Sequence, residues 1–96
     1  MAAESILQTK ILQDANSWPM GMAVKVKGDG TNGFPDLFIT DARSGAFVVE
    51  VKAPGQKPKP HQVVMHARLG RCGCETFVCD SWESWMRTKE VMGLLS

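Results

Sequence analysis

The chain has no apolar run near the roughly 18–20 residues that a membrane-spanning helix requires. Its first residues, MAAESILQTK, lack the basic and apolar regions of a secretory signal, so the expected compartment is the cytosol. The phosphate-cradling pattern GxxxxGK[ST] is absent, and the Gly28–Gly33 stretch, GDGTNG, is read as a plain connection. No Ser/His/Asp or Cys/His arrangement for a nucleophile stands out. Cysteine is scarce: Cys72, Cys74 and Cys79 are three, an odd number, which excludes a complete disulfide framework and points to reduced thiols. With His66 they do not form one of the strong zinc spacings, and strand alternation alone accounts for buried thiols. There is no internal repeat and no linker, so 96 residues make a single domain, 1–96. A chain of this length buries only a little over ~60% of its unfolded surface, and dimerisation would cover more.

The net charge is only +1, which gives no global argument for a polyanionic partner. Its distribution is uneven. From Lys52 through Arg71 there are five Lys/Arg (Lys52, Lys57, Lys59, Arg68, Arg71), two histidines (His61, His66) and no acid. The remaining residues carry six Lys/Arg against ten Asp/Glu. A basic segment beside an acidic pair suits a polyanion held against a metal, and a solvated helix face is the plain alternative.

Periodicity predicts the elements. Ala2–Asn16 reads as a helix with Leu7, Ile11 and Ala15 on its buried stripe. Glu4, one turn before Leu7, is either a first-turn acid or a carboxylate pointing inward. Met20–Lys27 reads as a strand with Met22, Val24 and Val26 on one side and wet lysines on the other. Pro35–Thr40 and Ala46–Lys52 read as two strands joined by the turn Asp41-Ala42-Arg43-Ser44-Gly45. Ala53–Pro60, APGQKPKP, is a connector, with Pro60 suited to the first position of a helix that continues to Arg71. Gln62, Met65, His66 and Leu69 share one face of that helix. Glu75–Asp80 is a short strand, and Ser81 caps a last helix running through Met92. Trp82 and Trp85 within it are read as packing rather than as a base-stacking platform. The order α-β-β-β-α-β-α implies an α/β fold with a mixed sheet and a right-handed β-α-β crossover.

The two central strands carry the chemistry. A hairpin symmetric about Arg43 pairs Thr40 with Ala46, Phe38 with Val48 and Asp36 with Glu50. Opposed Cβ atoms lie roughly 4.5–5.5 Å apart, so two carboxylates there repel unless a cation joins them. The period of two puts Lys52 on the face of Glu50 and turns Val49 and Val51 into the core. A one-residue slip would send Glu50 to the wrong face.

GFPD, then fourteen residues from Asp36 to Glu50, then EVK, then Gln62 ten residues after Lys52, resembles the PD-(D/E)XK nuclease superfamily. Within it, GFPDLF…FVVEVKAPGQKPKPHQ followed by a helix, LGRCG and a strand is similar to the VRR-NUC family, in particular its short stand-alone phage and bacterial members. The resemblance spans about Gly33–Phe77. It implies a restriction-endonuclease-like fold and a nuclease using Mg2+ (or Mn2+), held by Asp36, Glu50 and the carbonyl of Val51. It gives Lys52 the attacking water and the phosphate charge, Gln62 a place on the helix behind the site, and Glu4 the completion of the acidic cluster. It further implies a homodimer acting on branched DNA such as Holliday junctions, in a bacterial host's cytoplasm if phage-encoded. A flap, nick or single-strand-end nuclease, or a catalytically silent DNA-binding module, are the alternatives on the same fold.

Overall fold

The computed structural model describes residues 2–27 and 32–95; Gly28–Thr31 of the GDGTNG connection fall outside the described residues. The elements are α1 (Ala3–Asn16), β1 (Gly21–Lys25), β2 (Leu37–Asp41), β3 (Gly45–Val51), α2 (Pro60–Arg71), β4 (Thr76–Cys79) and α3 (Trp82–Val91). This is the expected order. The strands form one sheet in the order β1-β2-β3-β4. β1, β2 and β3 are antiparallel neighbours, and β3 and β4 run parallel with α2 between them in the chain.

The central hairpin has the register expected from symmetry about Arg43: Thr40 opposes Ala46, Phe38 opposes Val48 and Leu37 opposes Val49. The turn explains the register. Asp41 pairs with Gly45 across three residues, and Gly45 has φ +72, the left-handed conformation such a three-residue hairpin needs. Asp41 Oδ1 accepts from the backbone N–H of Arg43 at 2.9 Å and from its Nε at 2.8 Å. These bonds hold the Asp41 carboxyl below the usual carboxylate range. The Arg43 guanidinium lies 5.6 Å from the Trp18 ring centroid, which ties the turn to the end of α1.

The period of two sorts the sheet into two faces. Leu37, Ile39, Phe47, Val49 and Val51 join Leu7, Ile11 and Ala15 of α1 in the core, with Ala23, Cys79, Trp85 and Leu94. Trp85 is the largest fully buried side chain, stacked on Trp18 (6.2 Å) and Phe47 (6.4 Å). Its Nε1 donates to Asp14 Oδ2 at 2.8 Å, and Lys89 Nζ donates to the same oxygen at 2.8 Å, so the indole has the polar partner burial demands. Trp82 differs from Trp85 and stays 41% exposed.

β1 departs from its expected orientation. Ala23 opposes Ile39 and is buried, whereas Met22 and Val24 are 49% and 44% exposed. The register with β2 decides this: α1 covers the Ala23 side, and the small alanine admits the helix. α2 lies on the other face and contacts β4, and at the β1 end of that face Met22 and Val24 are left uncovered among the described residues.

Truncating Trp85 to Ala should cost about 3–5 kcal/mol, a large share of a small domain's stability. Trp85→Phe, which keeps most of the packing and loses the bond to Asp14, should cost clearly less. Urea unfolding of both variants checks the order.

Candidate active site

Gly33 opens the stretch that delivers the first carboxylate. Its φ is +74, and a Cβ there would sit 2.6 Å from the carbonyl oxygen of His61 and 2.9 Å from Gln62 Cα. Only glycine lets the chain pass this close to the start of α2. Pro35 is buried, and Asp36 follows one step before β2. The Asp36 carbonyl accepts from Val26 N–H at 2.8 Å. Its side-chain Oδ2 accepts from Val51 N–H at 2.8 Å. The carboxylate therefore occupies the place where the β2–β3 ladder stops, and it neighbours Glu50 as the hairpin geometry requires.

Glu50 is buried on the face that carries Gln62 and His66 of α2. Its Oε2 lies 3.4 Å from Gln62 Nε2 and 3.6 Å from Lys52 Nζ. Gln62 is oriented by its own Oε1, which accepts from Lys59 N–H at 2.8 Å. Glu50 Oε1 is different: it is buried and has no hydrogen-bond partner among the described residues. Burial, then the nearby Asp36 carboxyl, pushes the Glu50 pKa up to about 7, against the pull of Lys52. Burial likewise lowers the pKa of His66, whose Nε2 stands 3.5 Å from Glu50 Oε1.

Lys52 leaves the end of β3 with its backbone N–H on the Cys79 carbonyl at 2.9 Å. It lines a cleft of about 400 Å3 together with Glu4, Ala53, Gln56, Lys57 and Lys59. The basic connector thus shares this cleft with Lys52, whose Nζ lies beside Glu50. Glu4 reaches this cleft from α1, but it is exposed, and among the described residues no hydrogen bond or ion pair links it to Asp36 or Glu50. It sits in the first turn, ahead of the stripe that α1 buries. The inward orientation considered for it is not found, and of the expected residues Asp36, Glu50, Lys52 and Gln62 are brought together. His66, read from spacing as a plain helix-face residue with a part at the site or on DNA as the less favoured alternative, joins them: its Nε2 stands 3.5 Å from Glu50 Oε1. Its position one turn after Gln62 was the available signal.

The donor set suits a hard cation. Two carboxylates are close enough that one resists ionisation, and one buried carboxylate oxygen is unserved. A divalent ion answers both conditions with oxygen ligands and its own waters. Among the described residues, no three His, Cys, Asp or Glu side chains already stand as a metal-binding group, so water would complete the shell. The cysteines supply no second centre: Cys72 is exposed, Cys74 half-buried and Cys79 buried, all as free thiols. A larger cavity, about 530 Å3, lies by the β2–β3 turn between Trp18, Met20, Arg43, Lys89 and Leu95. Its cations are already paired, Arg43 with Asp41 and Lys89 with Asp14, so it offers less to an anionic substrate than the smaller basic cleft.

A four-stranded mixed sheet with this helix order is the architecture of VRR-NUC domains. One solved VRR-NUC domain superposes with a TM-score of 0.82 and 28% identity, covering 94% of this chain and 97% of that one. A second matches in fold with a TM-score of 0.74 at 15% identity, covering 96% and 88%. The family model for the VRR-NUC domain matches residues 1–83, and the chain belongs to that family. It is also similar to "Putative nuclease p44" of Acyrthosiphon pisum secondary endosymbiont phage 1, with 41% identity over 61 residues. That match spans 64% of this chain and 66% of the phage protein. No helix among the described residues is long and apolar enough to cross a membrane.

The raised pKa of Glu50 has a direct consequence for the metal-free protein. The folded state binds this proton more tightly than the unfolded chain, so stability falls as pH rises from about 4.5 to about 7. In chelator, the wild-type melting temperature should drop between pH 5 and pH 8. Glu50→Gln should flatten this dependence and be the more stable of the two at pH 8.

Proposed function

We propose that the chain is a divalent-metal-dependent deoxyribonuclease that hydrolyses phosphodiester bonds at Asp36, Glu50 and Lys52. The observation that carries this reading is the buried carboxylate pair with an unserved oxygen, set beside a lysine at the mouth of a basic cleft. Asp36 and Glu50, with the carbonyl of Val51, would hold Mg2+ (or Mn2+). When bound, the ion supplies a more acidic water and charge neutralisation at the scissile phosphate. Lys52 places a point charge against the phosphate and orients the attacking water. Gln62 keeps Glu50 Oε2 fixed. Lys57 and Lys59 attract the backbone, and Glu4 is the remaining carboxylate facing that cleft. Lys52→Ala or Asp36→Ala should lower cleavage by at least about a hundredfold in correctly folded protein. Unchanged cleavage by either variant would overturn the mechanism.

The reading extends to a homodimer acting on branched DNA. A two-fold dimer presents two symmetric sites, matching a two-fold four-way junction. The exposed Met22 and Val24 on the open end of the sheet support a second copy packing there. Sedimentation should give twice the protomer mass, and in Mg2+ labelled four-way junctions should be cut in preference to flap, nicked and linear DNA. A monomer, or equal cutting of all four, would remove this part of the reading and leave the chemistry intact.

A further inference from the structure

The two oxygens of Glu50 are not treated alike. Oε2 has Gln62 and Lys52 beside it. Oε1 is buried and without a hydrogen-bond partner among the described residues, and so is His66 Nε2, 3.5 Å away. A charge-assisted N–H···O bond would close to roughly 2.7–2.9 Å, so the pair is not bonded as it stands. In a neutral imidazole one nitrogen donates and the other presents a lone pair. The 3.5 Å gap is slightly wider than the roughly 3.0–3.4 Å between neighbouring ligands of one ion at metal–ligand distances of about 2.1 Å, so the two atoms would draw together on an ion; among the described residues they do not form a preformed three-ligand group.

The ring is not free to wander to this place. α2 begins at Pro60, its first turn is pressed against Gly33, and Gln62 is tied to Lys59. His66 follows Gln62 by one turn, so its side chain is delivered over Glu50 by the same helix face. Only 14% of the side chain is exposed.

We propose that His66 is a nitrogen donor to the ion held at Asp36 and Glu50, and that it biases this chain toward Mn2+ over Mg2+. The proposal rests on the metal-dependent reading above. Mg2+ takes oxygen ligands and keeps its waters, whereas imidazole favours first-row transition ions. One nitrogen among oxygens therefore alters selectivity more than it alters overall binding.

The test measures binding rather than cleavage. Mn2+ and Mg2+ are titrated separately into wild type, His66→Leu and His66→Gln by calorimetry, with circular dichroism reporting folding. Pulsed electron paramagnetic resonance of the Mn2+-loaded wild type reads nitrogen coupling directly. A histidine nitrogen signal in wild type is expected, absent from both variants. Mn2+ affinity should fall more than about tenfold in both, and Mg2+ affinity by less than about threefold. Absence of the nitrogen signal in wild type would overturn the proposal. So would equal losses for the two ions, or full retention of Mn2+ preference in His66→Gln, which keeps a hydrogen-bond donor. If His66→Leu does not fold, the wild-type spectrum and His66→Gln decide. If wild type binds neither ion, the metal-dependent reading itself fails, and this proposal with it.

Discussion

The hydrogen bond from Val51 N–H to Asp36 Oδ2, at 2.8 Å, is the joint on which the site turns. The pairing of β2 with β3 ends at Leu37 and Val49, and the next backbone donor of β3 on that side would otherwise be left inside the protein. A buried unpaired N–H is costly, and a carboxylate is a strong acceptor for it. Asp36 thereby holds the end of β3 in place beside Glu50. Glu50 and Lys52 lie on either side of Val51, so the same bond sets where both point.

Around this joint the protein keeps charges in an uncomfortable arrangement. Glu50 is buried under α2 beside a second carboxyl, and both effects oppose its ionisation. Lys52 offsets them only in part. Stability is supplied elsewhere, by the apolar side of the sheet, where Trp85, Phe47 and Ile11 are fully enclosed. The division is spatial: α1 and the odd-numbered strand residues make the core, while the even-numbered residues near the C-terminal end of β3 make the site. Local electrostatic strain of this kind is what a cation-binding centre needs before its ion arrives.

α2 links the two halves of that division. It carries Gln62 and His66 over Glu50, and its starting point is set by close contact with Gly33, three residues before Asp36. The loop bearing one carboxylate and the helix covering the other therefore position each other. The open end of the same sheet face, with Met22 and Val24, is left for a partner in the proposed dimer.

Much of this was legible in the chain itself. The turn residues Asp41–Gly45 and the alternation of two strands determine the register, and the register determines that Asp36, Glu50 and Lys52 gather on one face. The stripe of Leu7, Ile11 and Ala15 determines the buried side of α1, and Pro60 the start of α2. These are short-range matters of turn chemistry and period. The orientation of β1, the exposure of Glu4, the separate fates of Trp82 and Trp85, and the meeting of His66 with Glu50 were decided by tertiary structure. Each depends on which surface a distant element covers, and through-space packing, not local periodicity, settles that. Gly33 shows the boundary well: its sequence neighbours mark a loop, but the need for glycine comes from the backbone of a helix that begins twenty-seven residues later.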